Sequence, residues 1–249
     1  MKIIVGVSLV PDSTTKVKIG ADKKSIDENG VSYILNPYDE FAVEEALQLK
    51  EKNGGEVIAV SYGTDKAKEA IKKAFQMGAE KGVLIKSPSA DFDTYTAAKN
   101  LADYIKGQSP DLVLFGKTSI DFDGLSVPAM VAEMIDYPSI NVVVKLDING
   151  NEITAEREIE GGKEIVVANM PAVIGTQKGI NTPRYPNLKS IMASKSKPVE
   201  EAAPTYSGNK YEVTEMKLPA AKAAGKVFTN GAADVPELVK LLREEAKVI

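Results

Sequence analysis

Four short apolar runs, each followed by a helical pattern, constrain this chain more than any other feature. They are KIIVGVS (2–8), EVIAVSYG (56–63), GVLIKS (82–87) and DLVLFGK (111–117). Nearly continuous apolar strands must be covered on both faces, which is the mark of a parallel sheet with helices on either side. The intervening stretches supply those helices. In NPYDEFAVEEALQLKEKNGG (36–55), Asn36 suits the N-cap, Pro37 the first helical position, and Asp39 and Glu40 the positive helix end. Ala42, Val43, Ala46, Leu47 and Leu49 form one apolar face, and Gly54-Gly55 ends the helix. Further helices are predicted over about residues 64–77, 94–107 and 125–134. The expected fold is α/β, a doubly wound and mostly parallel sheet.

The pattern changes after Pro138. INVVVKLDI (140–148) and NEITAEREI (151–159) flank Asn149-Gly150, a strong hairpin signal. KEIVVANMPAVIG (163–175) reads as one more strand, so antiparallel additions to the sheet are expected. Near the N-terminus, KVKIG (16–20) and VSYIL (31–35) read as a small excursion with short strands. Residues 198–225 are rich in Pro, Ala, Lys and Glu with little periodicity and read as an extended arm. VPELVKLLREEAKV (235–248) is an amphipathic terminal helix with Val235, Leu238, Leu241 and Leu242 on one side. The expected division is an α/β domain over 1–197 and an arm with its helix over 198–249. Such an arm either wraps a partner or folds back on its own domain, and the pattern leaves both open.

Composition narrows the chemistry. The 249 residues include no Cys and no His, which excludes disulfides, thiolate nucleophiles, zinc–thiolate sites and a Ser-His-Asp triad. A binding protein, or a carrier whose chemistry lives in a cofactor, is favoured. Net charge of −4 argues against nucleic acid as a partner. No apolar run reaches the length of a membrane span, and Ile3 to Val7 reads as a buried strand of a cytoplasmic protein.

In an open α/β sheet, ligands sit beyond the carboxyl ends of the strands near the switch point. Four segments fall there: Gly6-Val7-Ser8, Asn36-Pro37-Tyr38-Asp39, Ser61-Tyr62-Gly63, and the stretch from Gly116 to Val127. Gly6, Gly63, Gly116 and Gly124 permit close backbone approach. The chain has neither GxxxxGK[ST] nor GxGxxG. Asp121 and Asp123, before Gly124, Leu125, Ser126 and Val127, suit ribose hydroxyls or a ligand with little phosphate; capping the next helix is the plainer reading.

The stretches NPYDEFAVEEALQLKEK, EVIAVSYG, AFQMGAEKG, PDLVLFGKTSID and EREIEGGKEIVVANMPAVIGTQKGINTPRYPNLKSIMASKSKP resemble the β subunit of electron transfer flavoprotein, over nearly the whole chain. The resemblance implies a heterodimer with an α subunit that mainly holds the redox FAD. It implies AMP in this subunit, or a second FAD in electron-bifurcating members. It implies electron flow from flavin dehydrogenases to a quinone oxidoreductase or another acceptor, so the chain is expected to be an electron carrier and not an enzyme. Nucleotide contacts map onto Gly6, the turn 36–39, Tyr62 and residues 121–132. Where AMP-binding members carry Asn-Gln-Thr-Gly, this chain has Leu125-Ser126-Val127-Pro128. Bifurcating members carry Gln-Val-Gly-Pro there, and Ser126 and Pro128 replace the Gln and the Gly. A free-standing adenine-nucleotide-binding regulatory protein is the alternative of another class.

The resemblance also gives a role to the basic knob TPRYPNLKSIMASKSKP (182–198), which matches the recognition element for partner dehydrogenases. Ile180 is expected to be the apolar anchor beside Pro183, Arg184 and Tyr185. Lys178, Lys189, Lys195 and Lys197 are expected to steer acidic partners. Burial of Ile180, Ile191 and Met192 beneath a surface loop is the alternative.

Overall fold

The computed structural model describes residues 1–222 and 224–249; residue 223, within the expected arm, lies outside the described residues. In chain order the first elements are β1 (Lys2–Gly6), β2 (Leu9–Pro11), β3 (Tyr33–Leu35), α1 (Pro37–Asn53), β4 (Glu56–Gly63), α2 (Lys68–Met77), β5 (Lys81–Lys86), α3 (Thr94–Gln108) and β6 (Leu112–Gly116). They are followed by α4 (Val127–Ile135), β7 (Ser139–Asn149), β8 (Glu152–Ile159), β9 (Gly162–Asn169), β10 (Ala172–Thr176), α5 (Leu188–Ser194), β11 (Glu200–Ala202) and α6 (Val235–Glu244).

Among the described residues, one nine-stranded sheet runs in the order β11-β5-β4-β1-β6-β10-β7-β8-β9. The strands from β11 to β7 pair in parallel, and β8 and β9 are added antiparallel. The sheet is doubly wound. The apolar face of α1 (Ala42, Val43, Ala46, Leu47) packs with Ile71 and Phe75 of α2 on one side. Ala98, Leu101 and Ile105 of α3 pack with Val131 and Ile135 of α4 on the other. Strands β1, β4, β5, β6 and β10 alternate their side chains between these two cores, as Ile3 and Ile4 do, which explains why their sequences are largely apolar.

Three local expectations change. KEIVVANMPAVIG is two strands. Pro171 has no N–H to continue the ladder, so β9 ends as the outer antiparallel edge and the chain re-enters as β10. β10 lies between β6 and β7 and is parallel to both. KVKIG forms no strand, only a single bridge between Ile19 and Ile26. The partner of VSYIL is instead Leu9–Pro11, antiparallel, in a separate two-stranded sheet. The arm starts on the body itself, since β11 extends the sheet edge beside β5.

Candidate functional site

β4 pairs on one side of β1 and β6 on the other, so the strand order reverses at β1. The carboxyl ends of β1 and β6 therefore bound the candidate crevice of an open α/β sheet. Asp39, in the first turn of α1, is its brace. Its Oδ2 accepts from the N–H of Ser8 (2.8 Å) and from Ser8 Oγ (2.7 Å), just past β1. Its Oδ1 accepts from the N–H of Gly116 (3.1 Å) at the end of β6. Burial pushes the Asp39 carboxyl up to about 6, against the pull of its hydrogen bonds from Ser8 and Gly116.

Two of the predicted glycines are required by the chain's own packing. A Cβ on Gly6 would lie 2.1 Å from the Phe115 ring. A Cβ on Gly116 would lie 2.5 Å from Asp39 Oδ1 and 2.6 Å from Tyr38 Cβ. Gly6 thus admits a ring from the next strand, and Gly116 lets α1 seat directly on β6. Gly63 abuts Ala67 Cβ at 3.1 Å, and Gly124 is open.

Asn36 occupies the N-cap position of α1, but its side chain does not cap the helix. Nδ2 donates across the crevice to the carbonyl of Thr118 (2.9 Å). That leaves Asn36 Oδ1 buried and without a hydrogen-bond partner, on a residue only 1% exposed. Pro37, next in the chain, starts α1. Tyr38 lies beneath Lys117, whose Nζ is 5.1 Å from the ring centroid. Tyr62, at the end of β4, stacks edge-on against Phe92 with centroids 4.8 Å apart.

Residues 117–126 form the outer lip. Thr118 is buried, and its Oγ1 accepts from the N–H of Leu125 (3.2 Å). Asp121, Phe122, Asp123, Gly124 and Leu125 are exposed. Neither aspartate caps α4: Ser126 holds the N-cap position without a side-chain hydrogen bond, and Asp121 accepts only from the N–H of Phe122. Asp123 and Leu125 both take left-handed backbone, with φ of 48° and 51°. Val142, in the irregular start of β7, has φ of 64°, and its neighbour Asn141 donates to the carbonyl of Leu125 (3.4 Å). Strained backbone on non-glycine residues is a recurring feature of ligand sites. The helix begins at Val127, two residues later than the sequence predicts, and Pro128 removes one N–H from its first turn.

The structure divides the expected docking residues. Ile180 is half-buried and packs against the core that holds the apolar face of α1. Arg184 turns inward. Its guanidinium meets Glu44 (Nε to Oε2, 2.8 Å) and Glu51 (Nη1 to Oε1, 2.6 Å), and its N–H also donates to Glu44 (3.0 Å). Burial alone would raise the Glu44 carboxyl, but hydrogen bonds from Arg184 and Gln48 hold it below its usual value. Pro183 is half-buried beside this clamp. The outward side chains are Tyr185 (96% exposed), Leu188 (76%) and Met192. Lys178, Lys189 and Lys195 are exposed, whereas Lys197 donates to the carbonyl of Ala79 (2.7 Å) and lies over the Phe75 ring. Lys197 is thus no steering charge. Ile191 is half-buried and Met192 exposed. The sequence did not single out Glu44 or Thr118: Glu44 falls on the polar side of the α1 pattern, and its burial comes from Arg184 packing over it.

A doubly wound α/β sheet whose strand ends are braced by Asp39 at the switch point defines the class: an open α/β domain. Residues 24–207 match the family model described as "Electron transfer flavoprotein domain". The chain is 39% identical over 250 residues to "Electron transfer flavoprotein subunit beta" of Syntrophomonas wolfei, covering 100% of this chain and 98% of that one. It is 40% identical over 245 residues to the protein of the same name from Bacillus subtilis, covering 94% and 95%. A relative from Oryza sativa subsp. japonica, named "Electron transfer flavoprotein subunit beta, mitochondrial", is 34% identical over 257 residues, covering both chains fully. The chain belongs to the electron transfer flavoprotein family, among its β subunits. Among the described residues, no helix is long and apolar enough to cross a membrane.

Proposed function

We propose that this chain pairs with an α subunit in a heterodimeric electron carrier and holds AMP in the crevice between β1 and β6. FAD, held mainly by the α subunit, supplies the redox chemistry when bound. The observation that carries the nucleotide reading is Asn36 Oδ1, a buried acceptor without a partner at the crevice. Buried polar atoms are nearly always satisfied, and of the three unpartnered ones among the described residues, on Asn36, Arg157 and Asn181, this is the one at these strand ends. An adenine amino group or a ribose hydroxyl supplies its donor. Asp121 and Asp123 are unspent as helix caps and suit ribose hydroxyls. Backbone N–H groups of Gly124, Ser126 and Val127, with Lys117 nearby, serve the phosphate, the Leu125 N–H being engaged by Thr118. The brace at Asp39 holds the strand ends in register for these contacts.

The test is nucleotide retention. Asn36→Leu, purified with the α subunit, is expected to lose AMP at least tenfold while keeping FAD, measured by chromatography after denaturation. Retention of AMP at the wild-type level would refute the assignment. A second FAD in place of AMP is the second reading; exposed Phe122 and Leu125 at the lip favour it, because a larger ligand would cover them.

Electron donors and acceptors dock at the knob. Tyr185, Leu188 and Met192 present a small apolar surface, and Lys178, Lys189 and Lys195 surround it with positive charge for acidic flavin dehydrogenases or a quinone oxidoreductase. A small apolar grip within a charged rim gives specific contact with rapid release. Leu188→Ala is expected to slow electron transfer from donor dehydrogenases about tenfold, with α-subunit binding and flavin content unchanged. Stopped-flow reduction with a panel of donors checks it; unchanged rates with every donor would exclude this surface.

A further inference from the structure

The segment after β11 is held to the body by side chains of α3 that recognise its backbone. Asn100, buried mid-helix, accepts from the N–H of Thr205 (2.8 Å) and of Tyr206 (3.1 Å), and its Nδ2 donates to the Tyr206 carbonyl (3.0 Å). Thr96 Oγ1 donates to the Gly208 carbonyl (2.9 Å). Asp93, which caps α3 through the N–H of Thr96 (2.8 Å), also accepts from the N–H of Lys210 and of Tyr211. Tyr206 stacks edge-on against Tyr95 with centroids 5.6 Å apart, and Lys210 Nζ lies 5.0 Å from the Tyr95 ring centroid.

This recognition is costly to build. A buried asparagine in the middle of a helix is disfavoured unless its amide is satisfied, and the backbone of 205–206 satisfies both ends of it. After Tyr211 the attachment thins. Lys24 pairs with Glu212 at 2.5 Å, the Met216 N–H donates to the Lys23 carbonyl, and α6 has no buried residue although Val235 and Leu238 lie on one face.

We propose that α3 is a built-in peptide-binding strip that anchors residues 205–211 and launches the segment from 212 to 249 toward the α subunit. The functional boundary then falls near Tyr211 instead of Pro198. Anchoring does two things. It fixes where the partner-facing segment leaves the body, and it removes ordering entropy before the partner arrives, so a pre-ordered start makes the remaining arm a tighter ligand. Asn100 and Asp93 are positioning residues for assembly. The proposal rests on the heterodimer reading above.

Two variants test it on the full chain. Asn100→Leu keeps α3 helical and deletes the amide. Thr205→Pro removes one anchored N–H from the arm and leaves the core untouched. Hydrogen exchange of the free chain, followed by titration with purified α subunit, reads the result. In the wild type, amides 205, 206, 210 and 211 are expected to be protected. Both variants should lose that protection, read at 206, 210 and 211 in Thr205→Pro because proline has no N–H, and bind the α subunit about tenfold more weakly, while β1, β4 and β6 stay protected. Loss of protection with unchanged affinity would overturn the anchor's role in assembly and leave the heterodimer intact. Unprotected arm amides in the wild type would overturn the anchor itself. A wild-type chain that binds no α subunit would overturn the heterodimer reading and this proposal with it.

Discussion

Asp39→Ala is expected to destabilise the fold by about 3 kcal/mol at neutral pH. The carboxylate is the acceptor for two backbone N–H groups, those of Ser8 just past β1 and of Gly116 at the end of β6. Without it both are left at a packed strand–helix junction, and an unsatisfied buried donor costs about 1–3 kcal/mol. Water has little room there, since α1 sits so close to Gly116 that even a methyl group would collide with it. Asp39→Asn is expected to cost less, because its carbonyl oxygen still accepts from Ser8 while its NH2 opposes the Gly116 N–H. The asparagine variant also reports on ionisation. Asp39 is raised to about 6 in the folded chain from an ordinary 3.8. A carboxyl raised on folding contributes stability at low pH that is lost as pH rises through about 6. The stability deficit of Asp39→Asn relative to wild type is therefore expected to shrink by about 1 kcal/mol between pH 5 and pH 8. Urea unfolding of both proteins at the two pH values measures it, and a deficit that grows toward pH 8 would contradict the assignment.

Arg184→Ala is the second large effect, at about 2–3 kcal/mol, the partial exposure of the arginine placing it toward the low end for a buried pair. Glu44 is buried, and removing the guanidinium leaves its carboxylate with Gln48 and one backbone N–H. Here the pH sign is opposite. Glu44 lies below its usual value when folded, so the pair's contribution is present at neutral pH and is lost as the pH falls through the carboxylate range. The variant's deficit should thus narrow on acidification. Arg184→Lys is expected to recover only part, since one ammonium cannot bridge both Glu44 and Glu51 as the planar fork does. Because the clamp ties the knob to α1, hydrogen exchange across residues 180–194 should accelerate in Arg184→Ala well before the sheet opens. Equal protection in variant and wild type would show that the clamp does not hold the knob.

The parallel sheet and the buried face of α1 were legible in the sequence because strands covered on both sides must be apolar throughout and helices must keep one stripe. Asn36, Asp39 and the stretch 116–127 were legible as candidate site residues because topology alone points to those strand ends. What each side chain does there was not. Asn36 looks like a helix cap, and only its distance to the Thr118 carbonyl, 82 residues away, shows that it spans the crevice instead. Arg184 looks like a docking charge until Glu44 appears opposite it, 140 residues earlier in the chain. Ile180 and Leu188 are both apolar residues near a basic turn, and only packing separates the one on the core from the one in solvent. The insertion of β10 between β6 and β7 was hidden for a related reason: apolar residues on either side of Pro171 carry no information on which neighbour they pair with.

The most direct test of the account is the nucleotide content of the complex. This chain is co-expressed with its α subunit, the complex is purified and denatured, and released FAD and AMP are quantified against protein. One FAD and one AMP per heterodimer is the expected result. Flavin without AMP, or a chain that recovers neither partner nor nucleotide, would contradict the crevice between β1 and β6 as an AMP site.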